Sequence, residues 1–422
     1  MAQQIQSEPV SMRSATAPPS RRVLQLDVLR GLAILMVLLY HTPFKLLYQD
    51  GANWLYNGFV AVQNLGWTGV DLFFVLSGFL VGGLLLKEIK HRGRLDVGRF
   101  IIRRGFKIWP GYYVYVFAVF IGLLKDFDFH TALNQMTPNL LHLQNYARRT
   151  PCDFTWSLSI EEHFYLALPL LLALLIRGRS LPIRTVAAVP LIAVVVMAVC
   201  LPLRLMAAGS DADYLTYKFQ STQYRADSLF FGVLLAYLYY FCPDLLQKIG
   251  RYPMVLLLGA AALLVPVHWW EKAGDFSQLL TTGYCLLYLA YGCLLVSLLY
   301  TTLSKGLIGR AVSSIPARAL AWLGVYSYSI YLWHLAFRNI LYRNYPLLLG
   351  VFPAELQWPI GMIVYLSGAV LVGYGAAKAV EVPALKLRDR LFPAHETIAQ
   401  TVPIEPTPSM VSTRVEVADC RP

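Results

Sequence analysis

The stretch Leu29-Arg-Gly-Leu-Ala-Ile-Leu-Met-Val-Leu-Leu-Tyr-His41 decides the fold, because it is apolar except at Arg30 and His41. Ionisable side chains inside a membrane-spanning helix are costly and mark functional sites. Eleven residues at about 100° each rotate the helix by roughly 1100°, which places the two side chains within about 20° of one face. The same residues separate them by ~16 Å along the axis. The stretch therefore predicts a spanning helix with a permanent cation toward one end and a titratable base toward the other.

The composition is that of a membrane protein. Of 422 residues, 57% are hydrophobic and 14% are charged, whereas soluble proteins have about 25% charged residues. The net charge of +12 would suit nucleic acid, but Lys and Arg cluster in short loops between apolar runs, as orientation signals do. We therefore expect an all-α polytopic membrane protein that binds no nucleic acid. Because no metal-binding Cys spacing, Walker loop or dinucleotide fingerprint appears, we expect no metal and no tightly bound cofactor.

The apolar runs define one membrane domain, residues 23–391, between two polar tails. Residues 1–22 and 392–422 are predicted to be disordered cytosolic tails. Each predicted span is near the ~20 residues that a helix needs to cross a bilayer. We predict ten spans, at about 26–46, 68–87, 102–124, 156–176, 184–206, 225–242, 253–270, 279–302, 320–341 and 357–380.

Positive charge sets the predicted orientation. Lys and Arg are concentrated in the N-terminal segment and in every second loop after it, and such loops remain in the cytosol. Both termini are then cytosolic, as an even number of spans requires. We expect a multi-pass protein of the cell membrane, specifically a bacterial inner membrane.

The second predicted span brings a carboxylate to the predicted outer end of the bundle. Asp71, in Gly-Val-Asp-Leu-Phe-Phe-Val-Leu-Ser-Gly-Phe, lies at the same predicted depth as His41. A carboxylate on one imidazole nitrogen fixes the tautomer and raises the basicity of the other nitrogen. We therefore expect Asp71 to orient His41 as a base. The alternative is an interfacial histidine satisfied by backbone or water.

The fourth predicted span opens with Phe154-Thr-Trp-Ser-Leu-Ser-Ile-Glu-Glu-His-Phe-Tyr. Neighbouring residues on a helix are ~100° apart, so Glu161 and Glu162 cannot both face one pocket. We expect one of them to face the bundle and the other to face solvent or a cation. For Ser157 and Ser159, capping of the helix start is favoured over a role as covalent nucleophile.

Two later spans add polar groups at the same predicted end. In Gln-Tyr-Arg-Ala-Asp-Ser, Arg225 and Asp227 are expected to pair with each other or with the fourth-span glutamates. A bracing ion-pair network and a substrate-binding role are weighted equally. The ninth span carries Tyr-Ser-Ile-Tyr-Leu-Trp-His, which ends at His334. The sequence leaves open which histidine is the base.

The predicted cytosolic end is cationic. In Arg-Arg-Gly-Phe-Lys, Arg103 and Lys107 are four residues apart on one helix face, level with Arg30. These cations either orient the chain and contact anionic lipid, or grip phosphates, for which the guanidinium fork is suited. A phosphorylated donor inside and a hydroxyl acceptor outside would need a connecting arm of ~16 Å or more. Coenzyme A has this shape.

Taken together, the motifs resemble the acyltransferase-3 family. They are the Arg30–His41 spacing, Phe-Phe-Val-Leu-Ser-Gly-Phe, Arg-Arg-x-x-Lys-Ile-x-Pro, Thr-Trp-Ser-Leu-Ser-Ile-Glu-Glu-His-Phe-Tyr and Tyr-Ser-Ile-Tyr-Leu-Trp-His. The resemblance implies transfer of an acyl group, often acetyl from acetyl-CoA, to a hydroxyl of an extracytoplasmic carbohydrate or glycoconjugate. It also implies that Arg30 and His41 are essential. Lys107 departs from the family pattern, which more often has Arg there.

The predicted site residues fall into three groups. The catalytic candidates are His41, Asp71 and Glu161. The donor-binding candidates are Arg30, Arg103, Arg104 and Lys107. The acceptor-side or structural candidates are Ser77, Trp156, Glu162, His163, Tyr165, Arg225, Asp227, Tyr331 and His334.

In the expected mechanism, His41 deprotonates the acceptor hydroxyl, which then attacks the thioester directly. In an alternative two-step mechanism, His41 itself carries the acyl group as a covalent intermediate. The competing interpretations are a proton-coupled exporter or flippase, and a non-catalytic scaffold.

Overall fold

The computed structural model describes residues 24–42, 54–177, 186–208, 219–300, 314–348 and 350–393. Every regular element in these ranges is a helix, so the all-α prediction is confirmed. The predicted tails lie outside the described residues, except for residues 392 and 393.

The helices follow the predicted spans, with short helices between them. They are α1 (Leu24–Tyr40), α2 (Trp54–Asn64), α3 (Gly69–Arg92), α4 (Val97–Leu123), α5 (Phe129–Leu140), α6 (Trp156–Ile176), α7 (Val189–Ala207), α8 (Ala226–Phe241), α9 (Pro243–Gly250), α10 (Pro253–Ala273), α11 (Tyr284–Tyr300), α12 (Ile315–Arg343), α13 (Ala354–Ala376) and α14 (Val382–Leu391).

Each of the ten predicted spans contains one of the longer helices, and the chain is a multi-pass membrane protein. Seven described helical segments are long and apolar enough to cross a membrane, and α8 with α9, bent by 108°, adds an eighth. Helices α1 and α12 fall outside this set. The first has 17 residues, and the second carries polar side chains along its 29 residues. Ten crossings therefore stay a prediction.

Helices α1 and α12 are in backbone contact. A Cβ atom on Gly31 would lie 1.8 Å from the carbonyl oxygen of Leu320, and one on Gly324 would lie 1.9 Å from that of Asp27. No other residue fits at these crossings. Ten residues after these glycines, the rings of His41 and His334 are 5.0 Å apart. The two helices therefore run parallel and stay in register toward this end of the bundle.

Helices α3 and α8 form a second parallel pair through glycines. A Cβ atom on Gly78 would lie 1.9 Å from the carbonyl oxygen of Leu229, and one on Gly232 would lie 2.3 Å from that of Val75. This close approach brings the start of α8 to the level of the start of α3.

The C-terminal helix closes the opposite end. A π-helical turn, Ala377–Glu381, links α13 to α14, and α14 packs on the start of α4. There Asp389 accepts a hydrogen bond from Arg103 at 3.3 Å. This contact ties α14 to the start of α4.

Candidate active site

Five helices surround a cavity of about 120 Å³ in the interior of the bundle. The cavity lies between α1, α3, α4, α6 and α12. Its walls combine aromatic and aliphatic side chains with an unusual number of polar ones. The polar lining consists of Arg30, Ser77, Arg104, Lys107, Ser157, Glu161, Tyr165, Ser327, Tyr328 and Tyr331.

Three cations share the cavity. Arg30 interacts electrostatically with Asp27, Glu381 and Glu161. The guanidinium of Arg104 lies 4.1 Å from the ring centroid of Tyr165. Lys107 forms an ion pair with Glu381, which also accepts a hydrogen bond from Ser329 at 2.7 Å. Three cationic side chains that converge on one cavity suit a phosphorylated ligand.

Arg103 does not belong to this group. It donates to Asp389 and to the carbonyl oxygen of Phe392, and it is absent from the cavity wall. The prediction that Arg103 and Lys107 act together with Arg30 is therefore wrong. Packing of α14 on α4 draws Arg103 outward, and the next residue, Arg104, faces the cavity instead.

The two adjacent glutamates separate as predicted. Glu161 lines the cavity and accepts a hydrogen bond from the hydroxyl of Tyr165 at 2.7 Å. Since that proton goes to Glu161, the hydroxyl of Ser77 donates to the Tyr165 oxygen. Glu162 points toward α4 and accepts from the indole of Trp109 at 3.2 Å. The second glutamate was expected to face solvent or a cation. Glu162 is buried away from solvent and interacts electrostatically with the cation Arg104.

A second serine–tyrosine pair lies on the same cavity wall. The hydroxyl of Tyr331 donates to the carbonyl oxygen of Phe154 at 2.9 Å, so the hydroxyl of Ser157, 2.7 Å away, donates to Tyr331. Ser157 therefore does not cap α6, contrary to expectation. Ser159 does not cap it either, because its buried hydroxyl has no hydrogen-bond partner.

The predicted contact between Asp71 and His41 is not made. Asp71 Oδ1 accepts a hydrogen bond from Arg225 Nη2 at 2.7 Å, and Asp71 Oδ2 is buried without a hydrogen-bond partner. The prediction that Asp71 orients His41 is wrong. Close packing of α3 on α8 brings a guanidinium to this carboxylate, and a charged donor is the stronger partner.

Arg204, on α7, was missed by sequence reasoning. It is fully buried and donates to Asp227 at 2.6 Å. The predicted pairing of Arg225 with Asp227 or with the glutamates is therefore wrong, since these residues pair with Asp71 and Arg204. The contacts favour the bracing ion-pair network. The only signal for Arg204 was a cation at the end of an apolar run, which was counted as loop charge.

Two further predicted site residues, His163 and Trp156, lie outside the cavity and make packing contacts. His163 Nδ1 lies 2.7 Å from the hydroxyl of Thr222, and its ring stacks on that of Tyr146. The Trp156 ring lies edge-on to that of Phe74, with 6.1 Å between their centroids. Neither residue lines the cavity, so both are structural neighbours of the site.

The two histidines lie just beyond the cavity. His334 Nδ1 is 2.5 Å from the carbonyl oxygen of Tyr331, and Tyr331 lines the cavity one helical turn earlier. His41 Nδ1 is 2.9 Å from the carbonyl oxygen of Val37. The site thus has a cationic part at Arg30 and an imidazole pair farther along α1. Within the described ranges, no group of three or more His, Cys, Asp or Glu side chains could hold a metal ion.

Comparison with known proteins gives concordant matches. The chain is 27% identical to the peptidoglycan O-acetyltransferase OatA of Listeria monocytogenes over 343 residues, which are 76% of this chain and 50% of that protein. It is 28% identical to the putative peptidoglycan O-acetyltransferase YrhL of Bacillus subtilis, over 73% of this chain and 47% of that protein. A putative O-acetyltransferase of Staphylococcus aureus is 27% identical, over 76% of this chain and 51% of that protein.

The chain spans about half the length of these curated relatives. No solved structure matches it. The sequence model of the acyltransferase-3 family, described as an acyltransferase domain, matches residues 23–378. The chain therefore belongs to the acyltransferase-3 family.

Proposed function

We propose that this protein is a membrane O-acyltransferase that moves an acyl group, acetyl in the simplest case, from cytosolic acyl-CoA to a hydroxyl of an extracytoplasmic carbohydrate. The observation that carries the proposal is the cavity into which three cationic side chains, those of Arg30, Arg104 and Lys107, project together. A ligand with several phosphate oxygens satisfies such a site, because each guanidinium can donate two parallel hydrogen bonds.

The shape of the donor matches the length of α1. Phosphates held at Arg30 leave ~16 Å along the helix axis to the level of His41, and the pantetheine arm of coenzyme A is a long thin chain ending in the thioester. Glu161 is the positioning residue here, because it interacts electrostatically with both Arg30 and Arg104.

His41 supplies the base. Its Nδ1 faces a carbonyl oxygen, that of Val37, so Nδ1 carries the proton and donates. The lone pair is then on Nε2, which takes the proton from the acceptor hydroxyl. The oxygen attacks the thioester carbonyl, a C–O bond forms, the C–S bond breaks, and the proton passes to the leaving thiolate. General-base catalysis of this kind contributes ~10²–10⁴-fold to the rate.

The relatives indicate the class of acceptor. Two of them are named as peptidoglycan O-acetyltransferases, so a cell-envelope glycan is the acceptor that we propose. The lipid bilayer is the other partner, because the apolar outer faces of the helices must be covered.

Release of free thiol tests the proposal. The purified protein in detergent receives acetyl-CoA with or without a soluble glycan fragment, and thiol is measured together with the mass of the glycan. A transferase releases thiol only with glycan present and adds the mass of one acetyl group for each thiol. The exporter interpretation predicts no thiol in either case, and that result would overturn the proposal.

A further inference from the structure

Glu381 stands behind the cationic part of the cavity. It belongs to the π-helical turn Ala377–Glu381 between α13 and α14, and its side chain is 5% exposed. It is absent from the cavity wall, yet it forms an ion pair with Lys107, which is part of that wall. π-Helical turns are rare overall and are concentrated at functional sites. Glu381 is therefore a candidate for a role in ligand binding.

Both carboxylate oxygens of Glu381 have partners. Oε1 accepts a hydrogen bond from the ammonium of Lys107, and Oε2 accepts one from the hydroxyl of Ser329 at 2.7 Å. Ser329, on α12, is 3% exposed. Because the bond to Ser329 involves no cation of the cavity, it can hold the carboxylate in place when Lys107 changes partner.

The three cations of the cavity repel one another. Lys107 is repelled by both Arg30 and Arg104 and is attracted by Glu381, which also attracts Arg30. A cation that is taken out of water without a counterion is costly. Glu381 therefore lowers the cost of holding these cations together before a ligand binds.

We infer that Glu381 is the counterion that the donor phosphates displace: it neutralises Lys107 in the ligand-free protein and opposes the donor when the donor binds. The phosphates of coenzyme A replace the carboxylate as the partner of Lys107, while Ser329 keeps its bond to Oε2. No covalent bond changes in this exchange. The inference rests on the proposed function, because it requires that the cavity bind those phosphates.

This role has two opposite consequences for a protein that lacks the charge of Glu381. The ammonium of Lys107 is left uncompensated, which destabilises the ligand-free protein. The same change removes a negative charge that repels the phosphates and competes with them for Lys107, so the donor binds more tightly. A carboxylate with a purely structural role would give the first consequence without the second.

Glu381→Gln tests both consequences, because it keeps the size of the side chain and an acceptor for Ser329 but removes the charge. We expect a lower melting temperature without ligand. We also expect the dissociation constant of coenzyme A to fall about 10-fold, the lower end of the range for one charge-assisted hydrogen bond. Calorimetry in detergent measures the constant. The rise in melting temperature on binding should exceed that of the wild-type protein.

Asp389→Asn is the matched control. It removes a carboxylate of α14 whose partners, Arg103 and Arg388, lie outside the cavity lining, so the dissociation constant should stay unchanged. Lys107→Gln and the double variant Lys107→Gln/Glu381→Gln give an independent comparison. Because the charge of Glu381 repels phosphate in this background too, the double variant should bind coenzyme A more tightly than Lys107→Gln.

The outcomes separate the inference from the proposed function. Unchanged or weaker affinity in Glu381→Gln overturns the inference, as does equal tightening in Asp389→Asn. If Glu381→Gln does not fold, the comparison of the double variant with Lys107→Gln decides in the same way. If the wild-type protein does not bind coenzyme A, the proposed function itself fails.

Discussion

Asp71 on α3 and Arg225 on α8 form an ion pair with 2.7 Å between Oδ1 and Nη2, and neither side chain is more than 2% exposed. The guanidinium also lies 3.6 Å from the ring centroid of Tyr284. With the pair between Arg204 and Asp227 beside it, this contact forms a charged layer across α3, α7 and α8. The layer braces the helices that carry part of the cavity wall.

Breaking the pair from one side should be strongly destabilising. Asp71→Asn leaves the guanidinium of Arg225 buried and uncompensated, which lowers the free energy of unfolding by about 3–5 kcal/mol. Asp389→Asn is the matched control. It breaks an ion pair in which the carboxylate is 54% exposed, and such pairs contribute about 0–1 kcal/mol. Denaturant titration in detergent micelles measures both variants, and equal losses would contradict the account.

Arg30 should determine donor affinity. Arg30→Gln removes one of the three cations that line the cavity, and a charge-assisted hydrogen bond contributes about 1.5–3 kcal/mol. We therefore expect the KM for acetyl-CoA to rise about 10- to 100-fold. Arg103→Gln removes a neighbouring cation that faces α14 and should leave this KM unchanged. If the two variants had the same KM, the cavity would not be the donor site.

Substitution of the two adjacent glutamates, Glu161 and Glu162, should have different effects on activity. Glu161→Gln removes a charge beside Arg30 and Arg104, so we expect loss of acyl transfer in a protein with near-normal thermal stability. Glu162→Gln changes the partner of the Trp109 indole, which lies off the cavity, so activity should persist. Activity and melting temperature measured on the same preparations check both variants. Loss of activity in Glu162→Gln alone would contradict the assignment.

His142, in the segment between α5 and α6, should make stability depend on pH. Burial, with a smaller effect of nearby His163, lowers its pKa to about 4, from about 6.5 in the unfolded chain. Between these values the unfolded chain binds a proton that the folded protein does not, so stability falls as the pH drops. The slope contributed is at most about 1.4 kcal/mol per pH unit.

His142→Asn should flatten this slope while keeping the left-handed backbone, at φ 55°, that Asn tolerates. Melting temperatures from pH 7 to pH 4 measure it. An unchanged slope in the variant would show that another group titrates there.

The sequence predicted best those features that depend only on the depth of a residue in the membrane and on the face of the helix that carries it. The apolar runs predicted the helices, and the depth of Arg30 relative to the start of α4 predicted the shared cationic site. The ~100° between neighbouring residues predicted that only one of Glu161 and Glu162 reaches the pocket. Each of these predictions requires only the geometry of a single helix and its position across the membrane.

The pairings could not be predicted, because they depend on how the helices are rotated about their axes and which ones touch. Asp71 and His41 were predicted to lie at the same depth in the membrane, but the packing of α3 on α8 pairs Asp71 with Arg225. His334 meets His41 because α1 and α12 cross at two glycines, a contact that spans almost three hundred residues of sequence.

The most direct test of the central claim is acyl transfer across a bilayer. Vesicles carry the protein in one orientation, with the α1 N-terminal end inside, isotope-labelled acetyl-CoA enclosed and the glycan outside. We predict labelled acetyl on the external glycan, one free coenzyme A inside for each acetyl transferred, and neither product with His41→Ala. Labelled glycan only when donor and glycan share one side, or undiminished transfer by His41→Ala, would contradict the account.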